Sequence, residues 1–235
     1  MSLHFENKLS DVPNQRVALF VDVAAMRAQA SRSFNSNQFN IDYSFMMKEL
    51  SATIGSINLV EMFITINRYD RKDSADNFMK HAQRLGCHVH MCTTFRNERI
   101  SKSDPLASEK LAEYAGQLIQ TSEDGWTIIG GAKPKITTKI DMAAAIVAAA
   151  MSDRFDCIIL GTTDSIFANI IARYITPRGI NCGIVFIQNE DRPEFIDRTI
   201  SGEFLSMFNF RLRFDNADII NHQERNDIDT ESVDD

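Results

Sequence analysis

The stretch Asp141-Met-Ala-Ala-Ala-Ile-Val-Ala-Ala-Ala-Met151, with Cys157-Ile-Ile-Leu-Gly-Thr-Thr-Asp164-Ser165 close behind it, decides the fold class. The first part reads as a helix, the second as a buried strand ending in a tight turn. Thr138-Lys-Ile-Asp141 fits the S/T-x-x-D/E box that opens a helix, so the helix is expected over Asp141–Met151. A helix followed at once by a wholly apolar strand is the unit of a parallel sheet covered on both faces.

The same alternation continues on both sides. Val17–Val21 is an apolar run that leads straight into Asp22. Helices are expected over Val23–Arg32 and Tyr43–Ile54, a strand over Asn58–Ile66, and a helix over Ser74–Leu85 closed by Gly86. Cys87–Thr93 is a third strand, Pro105–Gln120 a helix that opens on proline, and Trp126–Ile129 a short extra strand. Ser165–Ile175 and Glu194–Met207 read as helices, with the strand Cys182–Ile187 between them. Phe208–Phe214 fits either a last strand or an extended arm. The economical fold is α/β: a three-layer α/β/α sandwich around a mostly parallel, five-stranded sheet.

Residues 1–15 then form an N-terminal extension, 16–214 the domain, and 215–235 a tail. Residues 96–139 are an insertion between strands three and four, too long for a plain crossover. Of 32 acidic and 25 basic residues, 8 and 1 fall in 215–235, which leaves 24 of each in the body. The net charge of −7 therefore belongs to the tail, which reads as disordered from about Asn221. An acidic pI does not exclude a polyanion from the body. No apolar run is long enough to span a membrane, and the first residues do not read as a signal peptide. The four cysteines form no C-x-x-C pair and read as reduced core thiols of an intracellular, cytoplasmic protein.

Asp22, Asp141 and Asp164 all fall where strands end or helices begin, the edge at which open α/β sheets bind ligands. Each has a plain alternative role as a helix cap. Crowded together, three carboxylates need a cation, and Mg or Mn takes oxygen ligands of this kind. The loops on the same edge carry Arg68, Arg71, Lys72, Arg96, Arg99, Lys133, Lys135 and Lys139, which suit a phosphate backbone. Interleaved acids at Asp70, Asp73, Glu98 and Asp104 fit an ordinary solvated surface instead. His88, His90 and Cys92 share a strand face without further soft-metal ligands, so their expected role is structural. There is no G-x-G-x-x-G, no phosphate-loop pattern and no G-x-S-x-G, so dinucleotide-binding and hydrolase-elbow readings lapse.

Over about Arg16–Phe214 the chain resembles the NYN domains, members of the PIN-like nuclease group. Lys139-Ile-Asp141 looks like the family's K-x-V-D helix, and Asp156-Cys-Ile-Ile-Leu-Gly161-Thr-Thr-Asp164-Ser165 like its D-x-x-x-L-x-S-G-D-x-D-F turn. Val17–Asp22 is similar to its first strand, and Arg84-Leu-Gly86-Cys-His-Val89 to its turn into strand three. The resemblance implies a PIN-like sandwich and a divalent-metal-dependent ribonuclease. Asp22, Asp141 and Asp164 would be catalytic and hold Mg or Mn, with Thr162, Thr163 and Ser165 as supporting hydroxyls and RNA as partner. Ala25, Val147, Thr162 and Ser165 stand where the family usually has Asn, Asp, Asp and Phe. Lost carboxylates weaken a metal site. The alternative is a catalytically inactive NYN-fold module that binds nucleic acid, or assembles with itself or a protein partner through the 96–139 insertion or the C-terminal arm.

Overall fold

The computed structural model describes residues 4–6, 15–34, 40–67, 72–94, 98–109, 118–122, 125–129, 134–188, 200–215 and 220–221. The central strands are built from the apolar runs that the sequence marks. Strand β2 (Val17–Asp22) is buried along its whole length, as is β9 (Cys157–Gly161). The flanking strands are β4 (Ile57–Asn67), β5 (His88–Thr94), β10 (Asn181–Gln188) and β11 (Phe210–Asp215). Their order across the sheet is β11-β10-β9-β2-β4-β5, and all are parallel. A short strand, β1 (His4–Glu6), joins the edge antiparallel to β11.

This corrects the expected sheet of five strands. Phe208–Phe214 is not an arm: it supplies the sixth parallel strand, and Phe204, Phe208, Phe210 and Phe214 are all buried. Part of the N-terminal extension also belongs to the sheet. Gly183 on β10 leaves room for the Phe210 ring from the neighbouring strand, into which any Cβ at that position would run.

Alternation along the strands sends side chains to two cores. On one face Val17, Leu19, Val21, Val60, Met62 and Ile159 meet α1 (Val23–Phe34), α2 (Tyr43–Thr53) and α3 (Lys72–Arg84). On the other, Ala18, Phe20, Phe63, Ile158 and Leu160 meet α4 (Pro134–Met151) and the helical segment Ser165–Arg178. The result is a three-layer sandwich. Cys87, Cys157 and Cys182 are buried thiols, and burial pushes Cys87 up to about 11 and Cys157 up to about 12.

Helix α4 starts seven residues before the expected Asp141. Pro134 is its first residue, a position where the missing N–H costs nothing. Thr138 is therefore inside the helix, not a cap. The segment Ser165–Arg178 is helical but irregular: 3-10, α, π and 3-10 turns succeed one another until Gly179 closes it in the left-handed conformation. In the insertion, β6 (Glu98–Ser101), β7 (Leu118–Ser122) and β8 (Gly125–Ile129) form a separate antiparallel sheet ordered β6-β8-β7. The helix expected over Pro105–Gln120 thus ends before Leu118; residues 110–117 lie outside the described residues. Of the tail, β12 (Ile220–Asn221) pairs antiparallel with β3 (Asn40–Ile41).

Candidate functional site at the topological switch point

Numbered along the chain, the six parallel strands are ordered 3-2-1-4-5-6, with the direction of winding reversing between β2 and β9. That reversal opens a crevice at the carboxyl ends of the two strands. Here the crevice is deepened into a notch. Asp22 pairs with Phe63, and β4 runs on through Ile64–Asn67. On the other side Ile184 pairs with Leu160, and β10 runs on through Val185–Gln188. At ~3.3 Å per residue β4 stands about 13 Å above this floor, and β10, whose Phe186 is level with Thr162, about 7 Å.

Asp22 and Thr162 lie on that floor. Asp22 is 8% exposed, and its Oδ1 accepts the Ala25 backbone N–H at 3.0 Å, so it caps α1. Thr162 is fully buried, and its hydroxyl oxygen accepts the Asp164 N–H at 3.3 Å. Asp164 caps the next helical turn through Oδ1, which accepts the Ile166 N–H at 3.1 Å. Its other oxygen is held by the Lys139 ammonium from α4, in an ion pair whose two side chains are 27% and 30% exposed. Thr163 is half-buried, and Ser165 is exposed as the first residue of that turn.

Helix geometry separates Asp141 from this group. Two residues along an α-helix turn through about 200°, so with Lys139 directed at Asp164, Asp141 faces away. It is exposed, on the arc that also carries Ile140, Ala144 and Ala148. The three expected carboxylates are therefore not brought together. One caps α1, one is held by a lysine, and the third lies on the far side of α4. Among the described residues no group of three His, Cys, Asp or Glu could hold a metal ion. The donor set does not fit a Mg or Mn ion held by Asp22, Asp141 and Asp164.

Of the expected nucleic-acid contacts, Arg68, Arg71, Arg96 and Lys133 lie outside the described residues. Lys72 is the first residue of α3, Lys135 the second of α4, and Lys139 lies one turn further on. All three are at the carboxyl edge of the sheet. Arg99 is on β6 of the small sheet, so it follows the insertion and not the main sheet. His90 stacks on Phe63 with centroids 4.6 Å apart, and its Nε2 is 3.2 Å from Glu61, which is a strand-face role.

The flanks carry further polar groups. Thr65 on β4 and Thr138 on α4 share a hydrogen bond between their hydroxyls at 2.8 Å. Gln29, buried on α1, accepts the Ile187 N–H at 3.0 Å, where β10 has outrun β9 and lost its ladder partner. Its only sequence signal was a polar residue one turn beyond Met26 on the buried face of α1. The Tyr43 hydroxyl is buried, unpartnered among the described residues, and within the fields of Asp22 and Arg27. Burial holds the Tyr43 phenol well above its ordinary value. An open groove of about 350 Å³ lined by Met47, Lys48, Leu59 and Leu85 lies at the opposite, amino-terminal end of β4 and shares no residue with this site.

No family model matches the chain, and no curated protein matches it. Among solved structures it is similar to a protein of unknown function from Vibrio parahaemolyticus. The identity is 15%, with 91% of this chain and 100% of that one covered at a TM-score of 0.52. This likeness bears on the fold alone. Among the described residues, no helix is long and apolar enough to cross a membrane.

Proposed function

We propose that this chain is an RNA-binding module on a PIN-like, NYN-type frame, in which a lysine occupies the place of a divalent ion. The observation that carries this reading is the Lys139 ammonium held on the Asp164 carboxylate at the switch point. The charge of the Asp164 carboxylate is balanced by a lysine from the chain's own helix.

The edge is also receptive to anions. Helix α4 begins there with no acidic residue in its first turn. The N-terminal end of a helix carries partial positive charge, so a lysine there, such as Lys135, is unfavourable unless an anion is nearby. A phosphate backbone would satisfy the start of α4 together with Lys72, Lys135 and Lys139. The choice of RNA rests on the resemblance to NYN domains. Loss of acidic positions at Val147 and Thr162 agrees with binding in the absence of cleavage.

Fluorescence anisotropy with a labelled single-stranded RNA tests this, run in EDTA and in Mn²⁺, with products resolved on a gel. The expected result is equal affinity in both buffers, a steep loss of affinity with salt, and intact RNA. A second reading, a Mg- or Mn-dependent ribonuclease, draws on the placement of Asp22 and Asp164 at the ends of adjacent central strands. Mn²⁺-stimulated cleavage abolished by Asp164→Asn would establish that reading in place of the first.

A further inference from the structure

Helix α4 is apolar on the wrong side. Between Asp141 and Met151 it has no polar residue: the sequence is Met-Ala-Ala-Ala-Ile-Val-Ala-Ala-Ala. Met142, Ile146, Ala149 and Ala150 face the sheet and are buried. The outward arc carries Ile140, 60% exposed, Ala144, Ala148, and Met151, 51% exposed. At ~100° per residue these four lie within about 80° of one another, in a continuous stripe. A helix apolar all round is normally covered all round.

We infer that this face is covered by a second copy of the chain, with the two α4 helices packed antiparallel about a two-fold axis near Ile146. The stripe is self-complementary in that arrangement. A two-fold contact must use one patch on both partners. Centring it on Ile146 sets Ala144 opposite Ala148 of the other copy, twice, so small side chains meet at the crossing and the helices approach closely. Asp141 then falls opposite Met151 of the other copy, about 15 Å along the axis from its own Met151.

The charges fit the same register. Asp141 is the one charged residue on the outward arc, at its N-terminal end. At the other end Arg178 reaches over the Met151 sulfur, and Arg154 is exposed just beyond the helix. Antiparallel packing brings each Asp141 to the arginine end of the other copy. Parallel packing would set like charges together at both ends. This surface is distinct from the insertion and from the C-terminal strand, and it is independent of RNA binding.

Sedimentation velocity of the full chain over roughly 1–200 µM tests it. The expected result is a monomer–dimer equilibrium whose Kd rises about tenfold or more in Ala148→Glu, at an exposed position where the fold, checked by circular dichroism and thermal melting, is retained. Asp141→Arg and Arg178→Glu should each weaken the dimer several-fold, and the double variant should recover most of the loss. A monomer throughout the range overturns the inference, as does a dimer indifferent to Ala148→Glu in a folded variant. Binding of the wild-type chain to phosphatidylcholine vesicles, lost in Ala148→Glu, would assign the face to a lipid surface and overturn it equally.

Discussion

The strands β2 and β9 lie side by side, and each end of the pair carries an ion pair of a different kind. At the amino-terminal end Arg16 clamps Asp156. Its Nη2 is 2.8 Å from Oδ1, its Nε 2.9 Å from Oδ2, and its backbone N–H donates to the same oxygen at 3.0 Å. At the carboxyl end Lys139 meets Asp164 through a single ammonium. The first is a planar, bidentate fit with backbone support, which fixes one strand start against the other. The second joins a flexible point charge to a carboxylate at the floor of a notch. The comparison separates a fastening from a site: multiple fixed bonds hold the strand pair together, whereas one exchangeable bond leaves a charge able to turn to a ligand.

Reversing the charge at the site should have the largest effect. Lys139→Glu is expected to lower RNA affinity at least about tenfold, measured by anisotropy, with little change in melting temperature. An equal loss of stability would show that Lys139 is a fastening too. Thr138→Val removes the partner of the Thr65 hydroxyl on the notch wall and should cost about 1 kcal/mol in urea unfolding. Asp156→Ala should do the reverse of Lys139→Glu. The melting temperature falls by a few degrees at most, because the pair is exposed, while RNA affinity is unchanged.

The smallest effect is a pH limb. Hydrogen bonds from the Arg16 side chain and backbone hold the Asp156 carboxyl down at about 2, against an ordinary 3.8. A depressed carboxyl stabilises the fold fully above its unfolded value and loses that contribution as pH falls through the folded one. The clamp's contribution should therefore fade between about pH 4 and 2. Acid unfolding of Asp156→Ala should converge on wild type in that window.

Much of the frame was legible because it is local. Val17–Val21 and Cys157–Leu160 announce buried parallel strands by composition alone, and Gly86 marks the end of α3. The start of α4 differs from the expected Asp141 for a physical reason. Ile136-Thr-Thr138 is β-branched and a poor helix former, so the capping box at Thr138 looked like the beginning. The buried hydroxyl pair with Thr65 favours helix there, a contact 73 residues distant in sequence. Phe208–Phe214 fits both readings because a strand far out in the sheet and an extended arm share one pattern. Within the site, Asp22 and Asp164 were legible by position at strand ends. Their separate fates were not, since the Lys139–Asp164 pair spans 25 residues and depends on how α4 is rotated about its axis. That rotation also turns Asp141 outward.

At this switch point the cation on the Asp164 carboxylate is a lysine. Calorimetric titration of the purified chain with Mn²⁺, repeated on Asp164→Asn, tests it most directly. Neither protein should give saturable heat. A stoichiometric Mn²⁺ site in the wild type that disappears in Asp164→Asn would contradict it.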